Sequence, residues 1–172
     1  MSNGAANTRI GMPGVAVGLV RERDGQGRVR LEYPWLDRDL RSDWIPIASP
    51  MAGGGRGLFM MPEIGDEVLV AFQHGDFEHP VVVGFLWNGV DKPPADDPRE
   101  RVICSKNGHR IRFIDSTPSA GDLGALVIED AHGNRITLSN GKVSLSATAV
   151  LEIQAPVVTI NGRVVQPSPS PI

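Results

Sequence analysis

Hydrophobic and polar residues alternate in short runs through the first half of the chain, and glycine, proline and aspartate separate the runs. Runs of this length and period predict β-strands and not helices. We predict five strands, over residues 14–23, 28–33, 44–49, 66–73 and 80–86. Five strands in about 75 residues match the size of a small barrel such as an OB-fold.

The second run shows the clearest alternation, with Val29, Leu31 and Tyr33 on one predicted face. The turn Asp24-Gly25-Gln26-Gly27 precedes it, so we predict a hairpin with the first strand. Pro46 predicts an edge or a bulge in the third strand, because proline cannot donate to the ladder. The fifth run is continuously apolar, which indicates burial on both faces.

The change in composition along the chain predicts several segments. We assign a loose N-terminal tail at 1–13, an OB-fold domain at 14–88, a proline-rich linker at 89–101, a spike segment at 102–165 and a proline-rich tip at 166–172. The hexamers GHRIRF and GNRITL, 25 residues apart, form a two-copy internal repeat in the spike segment.

The longest alternation covers residues 142–157, which we predict to be extended because a helix would point the apolar residues all round. Its apolar positions are Val143, Leu145, Ala147, Ala149, Leu151, Ile153, Ala155 and Val157. This stripe is narrow, and we find no complementary apolar layer elsewhere in the C-terminal half. Because so little surface cannot stabilise a domain alone, we predict that copies of the chain stack their stripes in a β-prism or β-helix.

The apolar residues switch to even positions after this stripe, at Val158 and Ile160, and Val164 and Val165 then form a final apolar pair. The following PSPSPI blocks further sheet pairing because of its prolines. An exposed apolar end invites association, so we predict that residues 157–165 are a docking platform for a cap protein. The alternative is that PSPSPI folds back and covers the patch.

Charge and composition narrow the possible functions. The chain carries 17 basic and 20 acidic residues, which does not match the basic surface of a nucleic-acid or anionic-lipid binder. The single Cys104 allows no internal disulfide. Since no segment has the pattern of a signal peptide or a membrane helix, we expect synthesis as a soluble cytoplasmic chain.

Candidate chemistry is sparse. His74, Asp76, Glu78 and His79 could ligate a metal, but a tight loop favours turn chemistry for them. His109 and His132 lie beside the repeat glycines, where they either cap turns or meet around an ion on a three-fold axis. No nucleophile motif or phosphate loop is present, so we expect no enzyme activity, no resident metal and no cofactor.

The stretches PEIGDEVLVAF and HGDFEHPVVVG, together with GRVRLEYPWLD, NGHRIRF and GNRITL, are similar to one family. The chain resembles the central spike of contractile injection machines, that is, phage baseplate assembly protein V and the spike part of the valine-glycine repeat protein G (VgrG) of type VI secretion. The resemblance covers roughly residues 14–162. It implies an OB-fold followed by an intertwined triple-stranded β-helix, assembled as a homotrimer.

The resemblance also implies a place at the tip of an inner tube, under a baseplate hub, and contact with the target membrane only during piercing. The hub region and any lysozyme-like insertion are absent from this sequence, so we expect a separate hub protein and no peptidoglycan cleavage. The His-x-His iron motif of some phage spikes is also missing, and we expect a conical PAAR-like tip protein instead. Alternative roles are a baseplate adaptor in a phage tail, an OB-fold nucleic-acid-binding protein, and a fragment of a cell-wall hydrolase. The sequence does not separate a phage tail from a secretion system or an extracellular injection particle.

Overall fold

The computed structural model describes Gly11 and residues 14–36, 40–117, 121 and 123–165. The chain divides into two compact units, and the boundary along the sequence lies between Lys92 and Pro93. All regular elements of the described residues are β-strands, apart from one 3₁₀ turn at Gln73–Gly75. The all-β expectation is therefore confirmed. The predicted tip at 166–172 lies outside the described residues, as does the predicted N-terminal tail at 1–13 apart from Gly11.

The first unit is a nearly closed barrel. Its strands are β1 (Val15–Arg23), β2 (Arg28–Glu32), β3 (Ile45–Pro46), β4 (Ala52–Gly53), β5 (Arg56–Gly57), β6 (Glu67–Phe72) and β7 (Pro80–Phe85). The main sheet has the order β3-β2-β1-β6-β7. A parallel bridge between Ile47 and Val82 brings its two ends together, and the Ala48 N–H donates to the Val82 carbonyl at 2.8 Å. The five predicted strands are confirmed to within a few residues.

Alternation along the strands builds the core of this barrel. Val29 and Leu31 of β2 are fully buried, and Tyr33 just beyond it is 2% exposed, as predicted. The remaining buried core residues are Val20, Ile45, Val68, Val70, Phe72 and Val82. The prediction of two-sided burial for 80–86 is wrong, because Val83 and Phe85 are exposed on the outside of the barrel. No other element of the described chain covers that side of β7.

The second unit is an antiparallel meander followed by a small hairpin. Its strands are β8 (Glu100–Cys104), β9 (Arg110–Ile114), β10 (Ala125–Glu129), β11 (Arg135–Ser139), β12 (Lys142–Ser146), β13 (Thr159–Ile160) and β14 (Arg163–Val164). The five longer strands are neighbours in chain order, and β13 pairs only with β14. Strand β8 thus begins inside the predicted linker.

The internal repeat corresponds to a repeated turn. Gly108 and Gly133 precede β9 and β11, and both have φ near +90°, a conformation that glycine adopts without strain. In each turn a backbone N–H donates back across the loop, from Ser105 to the His109 carbonyl and from Asp130 to the Asn134 carbonyl. The predicted β1–β2 hairpin closes in the same way, through Asp24 and Arg28, with Gly27 at φ +80°.

The stripe at 142–157 is not one strand. Strand β12 ends at Ser146, and the Thr148 N–H then donates to Asn134 Oδ1 at 3.0 Å, which anchors the chain to the β10–β11 turn. Residues 147–158 contain no strand. A strand needs a ladder partner, and the described part of this chain supplies none for the stretch beyond Ser146. The alternation predicted a strand correctly only up to Ser146, where pairing with β11 ends.

Candidate oligomerisation surface

One face of the second sheet consists of two apolar rows. The strand register aligns Ile103, Ile111, Ile128, Ile136 and Leu145 in the first row. It aligns Arg101, Phe113, Leu126, Leu138 and Val143 in the second. Arg101 is the single charged member, and it forms an ion pair with Asp115 at the end of the face. We call these ten positions the apolar face.

The apolar face is open to solvent in the single chain. Leu126 is half-buried, and the exposed fractions of the other large apolar residues run from 37% at Ile111 to 67% at Val143. A contiguous apolar surface of this kind is rare on a monomer and marks an interaction site. Val143 and Leu145 of the predicted stripe thus belong to a wider apolar surface than the alternation of residues 142–157 indicated, and both remain exposed in the single chain.

The opposite face of the same sheet carries a cluster of ion pairs. Arg112 donates to Glu100 at 2.6 Å and lies 3.6 Å from Glu129, which also accepts from Arg135 at 3.0 Å. Val127, at the centre, is 5% exposed and is the one buried large apolar residue of the second unit's described part. This charged face can remain in contact with water. The apolar face is therefore the one that needs a partner to bury it.

A groove deepens one end of the apolar face. The chain turns back after β12, and Val150 and Leu151 lie beside Ile103, Ile128 and the other members of the first row. The groove encloses about 730 Å³ and is open to solvent. An apolar groove of this size admits several side chains of a partner.

The predicted core residues fall into two groups. Val143 and Leu145 are members of the apolar face, and Leu151 lines the groove. The other members lie beyond β12 and make no strand contact in this chain, namely Ala147, Ala149, Ile153, Ala155 and Val157. Sequence reasoning missed Ile103, Ile111, Phe113, Leu126, Ile128, Ile136 and Leu138. The alternation within the two repeat hexamers was the signal that could have found four of them.

The residues predicted to dock a cap protein, Val158, Ile160, Val164 and Val165, lie in one hairpin. Strands β13 and β14 pair Thr159 with Val164, and the Val165 N–H donates to the Val158 carbonyl at 2.8 Å. Asn161 and Gly162 form the turn with φ of +48° and +75°. Ile160 and Val164 remain exposed, at 65% and 59%. The hairpin therefore presents apolar side chains to solvent.

The candidate histidines act in turns. His79 Nδ1 lies 3.2 Å from Asp76 Oδ2, and Asp76 Oδ1 accepts the Glu78 N–H at 3.0 Å. His109 Nδ1 accepts the Ala131 N–H at 3.3 Å and so ties two neighbouring turns together. Within the described ranges, no group of three or more His, Cys, Asp or Glu side chains is placed to hold a metal ion.

The outer surface of the barrel pairs its cations with carboxylates. Glu32 is buried and accepts from Arg21 at 2.9 Å and from Arg41 at 2.7 Å. The hydrogen bond from Arg21, supported by Arg41, lowers the pKa of the Glu32 carboxyl below its ordinary range. Burial raises the pKa of Tyr33 to about 12.

A tryptophan next to this surface contacts two arginines. The Arg30 and Arg28 guanidinium carbons lie 4.7 and 5.9 Å from the Trp44 ring centroid. Arg28 also donates to Asp24 at 2.7 Å, and Arg30 lies 3.5 Å from Glu22. These carboxylates compete with a phosphate backbone for the same cations, which disfavours a nucleic-acid site.

Comparison with known proteins agrees with this architecture. Residues 12–87 match the family model of the type VI secretion system/phage-baseplate injector OB domain. Two Pseudomonas aeruginosa relatives, type VI secretion system spike proteins VgrG2a and VgrG2b, are each 35% identical to the chain over 120 residues. A Vibrio cholerae relative, actin cross-linking toxin VgrG1, is 32% identical over 84 residues.

These similarities cover much of this chain but little of the relatives. The alignments with VgrG2a and VgrG2b take in 64% of the chain and only 14% and 12% of the respective relative. The alignment with VgrG1 takes in 46% of the chain and 8% of the relative. Within the described residues, no helix has the length and apolar character needed to cross a membrane.

Proposed function

We propose that this chain is the homotrimeric central spike of a contractile injection system. The match of residues 12–87 to the injector OB domain of type VI secretion systems and phage baseplates, and the similarity to VgrG spike proteins, support this role. In this role it sits at the tip of the inner tube and pierces the target envelope when the sheath contracts. The role is mechanical and requires no catalytic residue. The apolar face is the observation that carries the proposal.

The resemblance to central spikes implies three copies, and three copies can cover the apolar face. A closed ring with three-fold symmetry lets each copy present the same face to a common axis, and it leaves the charged face outside. Burial of one Leu or Ile side chain contributes about 1.5–3 kcal/mol, so even part of the apolar face supplies a strong drive for association. A stack of hydrogen-bonded strands around an axis resists bending, which suits a piercing element.

The intertwined β-helix extends this proposal beyond Ser146. Strand β12 pairs with β11 on one side, and its other edge has no strand neighbour within the described chain. Residues 149–157 keep the alternation of a strand and lack a ladder partner of their own. An open edge and an unpaired alternating segment fit each other when they come from neighbouring copies. The predicted core from Ala147 to Val157 then lies on the three-fold axis.

The remaining partners and the location follow from the same role. We expect a separate hub protein above the barrel, a PAAR-like tip protein on the β13–β14 hairpin, and brief contact with the target membrane. The protein is made in the cytoplasm and is assembled into a phage tail-like particle. The adaptor role in a phage tail uses the same trimer without piercing.

The mass of the full chain in solution tests the trimer. Light scattering after size exclusion should give three times the 18.5 kDa of one chain. Electron microscopy of particles whose spike carries an N-terminal label should then place the label at the tip of the inner tube. A stable monomer at micromolar concentration contradicts the proposal. A label along the tube or sheath rejects the spike position.

Deletion of residues 163–172 tests the platform at the tip. It removes β14 and Val165, so the trimer should persist while the cap protein is lost. The measurement is co-purification of the cap with assembled particles. Full occupancy of the cap on the truncated spike shows that it binds elsewhere.

A further inference from the structure

The first unit also carries an apolar surface that no part of the described chain covers. Phe85, Trp87 and Val90 follow each other along the exit from the barrel and are 51%, 70% and 87% exposed. With Met60 they line a groove of about 660 Å³. This size lies within the range of roughly 300–1,000 Å³ that is usual for binding pockets. We call it the exit groove.

The rim of the exit groove is acidic. Asp66, Glu67 and Asp91 border it, and Lys92 is its one basic residue. Asp66 accepts the Glu63 N–H at 2.7 Å, and Asp91 accepts from the Asn88 amide at 3.4 Å, so both carboxylates are held in place. A partner that fits this groove combines apolar side chains with a positive charge.

The chain itself contains a segment of that chemistry. Residues 51–59, which we call the arm, are exposed throughout and include the short hairpin of β4 and β5. Arg56 is the arm's one charged residue, and Met51, Leu58 and Phe59 are its large apolar residues. Phe59 is 80% exposed.

The base of the arm is closed by hydrogen bonds. The Leu58 N–H donates to the Met51 carbonyl at 3.0 Å, and the Ser49 hydroxyl donates to the Leu58 carbonyl at 2.7 Å, with the Met51 carbonyl 3.0 Å away as an alternative acceptor. Gly57, paired with Ala52 in the hairpin, has φ +148°, and a Cβ there would collide with the Met51 carbonyl. A pre-organised arm loses little conformational entropy when it binds.

We propose that the arm of one copy binds in the exit groove of the next copy around the trimer. This inference rests on the proposed trimer, which brings three barrels into one assembly, each attached to the second unit of its own chain. Tethering raises the effective concentration of arm and groove to the millimolar range, so a modest contact is sufficient. Arg56 then faces the acidic rim, and Phe59 and Leu58 cover the apolar floor. Arm and groove are different surfaces, so the contact is head-to-tail and closes as a ring.

Cross-linking between two tagged chains tests the contact. Both chains carry Cys104→Ser, because Cys104 is the native cysteine. One chain with a large tag carries Phe59→Cys, and the other with a small tag carries Val90→Cys. The two are refolded together and treated with a short bismaleimide. We expect a hybrid band that contains both tags, and we expect Arg56→Glu to reduce it several-fold.

A matched control uses Val15→Cys in place of Val90→Cys. Val15 is 59% exposed on the same barrel, at the start of β1, and does not line the exit groove. If light scattering gives trimers but the hybrid band is no stronger than with this control, the inference is overturned and the proposed trimer stands. A monomeric full chain overturns the trimer and the inference together. A hybrid band that is insensitive to Arg56→Glu rejects the charge pairing as its cause.

Discussion

The two units bury their apolar residues in opposite ways. The barrel has nine buried core residues, contributed by most of its strands and by the segments beside them. The second sheet has one, Val127, although its strands also alternate apolar with polar residues. Both units use the same period-two alternation and share the same type of glycine turn. The difference is closure, because the barrel folds its apolar face inward and the open meander leaves its apolar face exposed. The barrel thus buries its own core, whereas the sheet would bury its face only in the proposed trimer.

The strongest test of this contrast is a charge on the apolar face. Leu145→Asp places one carboxylate from each chain at a single level of the trimer, and three unpaired buried charges should abolish assembly. Leu151→Asp should act in the same way through the groove. Light scattering measures the loss as a shift to the monomer mass.

The matched controls lie on the opposite face of the same strand. Ser144 and Ser146 pair with Thr137 and Arg135 of β11, away from the apolar face. Ser144→Asp and Ser146→Asp should therefore leave the trimer mass unchanged. Equal behaviour of Leu145→Asp and Ser144→Asp contradicts the assignment of the apolar face as the interface.

A cavity in the barrel should affect the other unit alone. Leu31 is fully buried, and Leu31→Ala should cost about 2–5 kcal/mol of barrel stability through lost burial and a residual cavity. Calorimetry should show a lower melting temperature for the barrel transition, with the trimer mass unchanged. The transition of the second unit should instead rise with protein concentration, as expected for an associating unit.

The smallest expected effect concerns acid and the barrel. The folded pKa of Glu32 lies below its ordinary value of 4.5, so its ion pairs stabilise the barrel above that pH. This stabilisation is lost as the pH falls below 4.5 and Glu32 becomes protonated. Glu32→Gln should flatten the fall of the barrel's melting temperature between about pH 5 and 3. An unchanged slope assigns the acid sensitivity to other carboxylates, such as Asp24, whose pKa is also lowered.

Local patterns predicted the barrel well because its strands, its turn at Asp24 and its core belong to one chain. They failed for Val83 and Phe85, since an apolar run does not reveal that one side of an edge strand lacks a cover. In the second unit, arginines alternate with the isoleucines and hide the face. Ile111 and Ile128 become neighbours only through the register between strands. The end of β12 at Ser146 was not predictable from alternation, because pairing beyond it needs another chain.

The open edge of β12 and the apolar face beside it also affect how the protein is made. The barrel emerges first from the ribosome and can fold while the second unit is still being synthesised. A completed but unassembled chain then carries an unprotected strand edge next to an apolar surface, which is the pattern of an aggregation site. If the proposed trimer forms, its assembly and aggregation compete for the same surface. Translation of several chains close together on one messenger RNA favours the productive outcome, and the folded barrel keeps each waiting chain in solution.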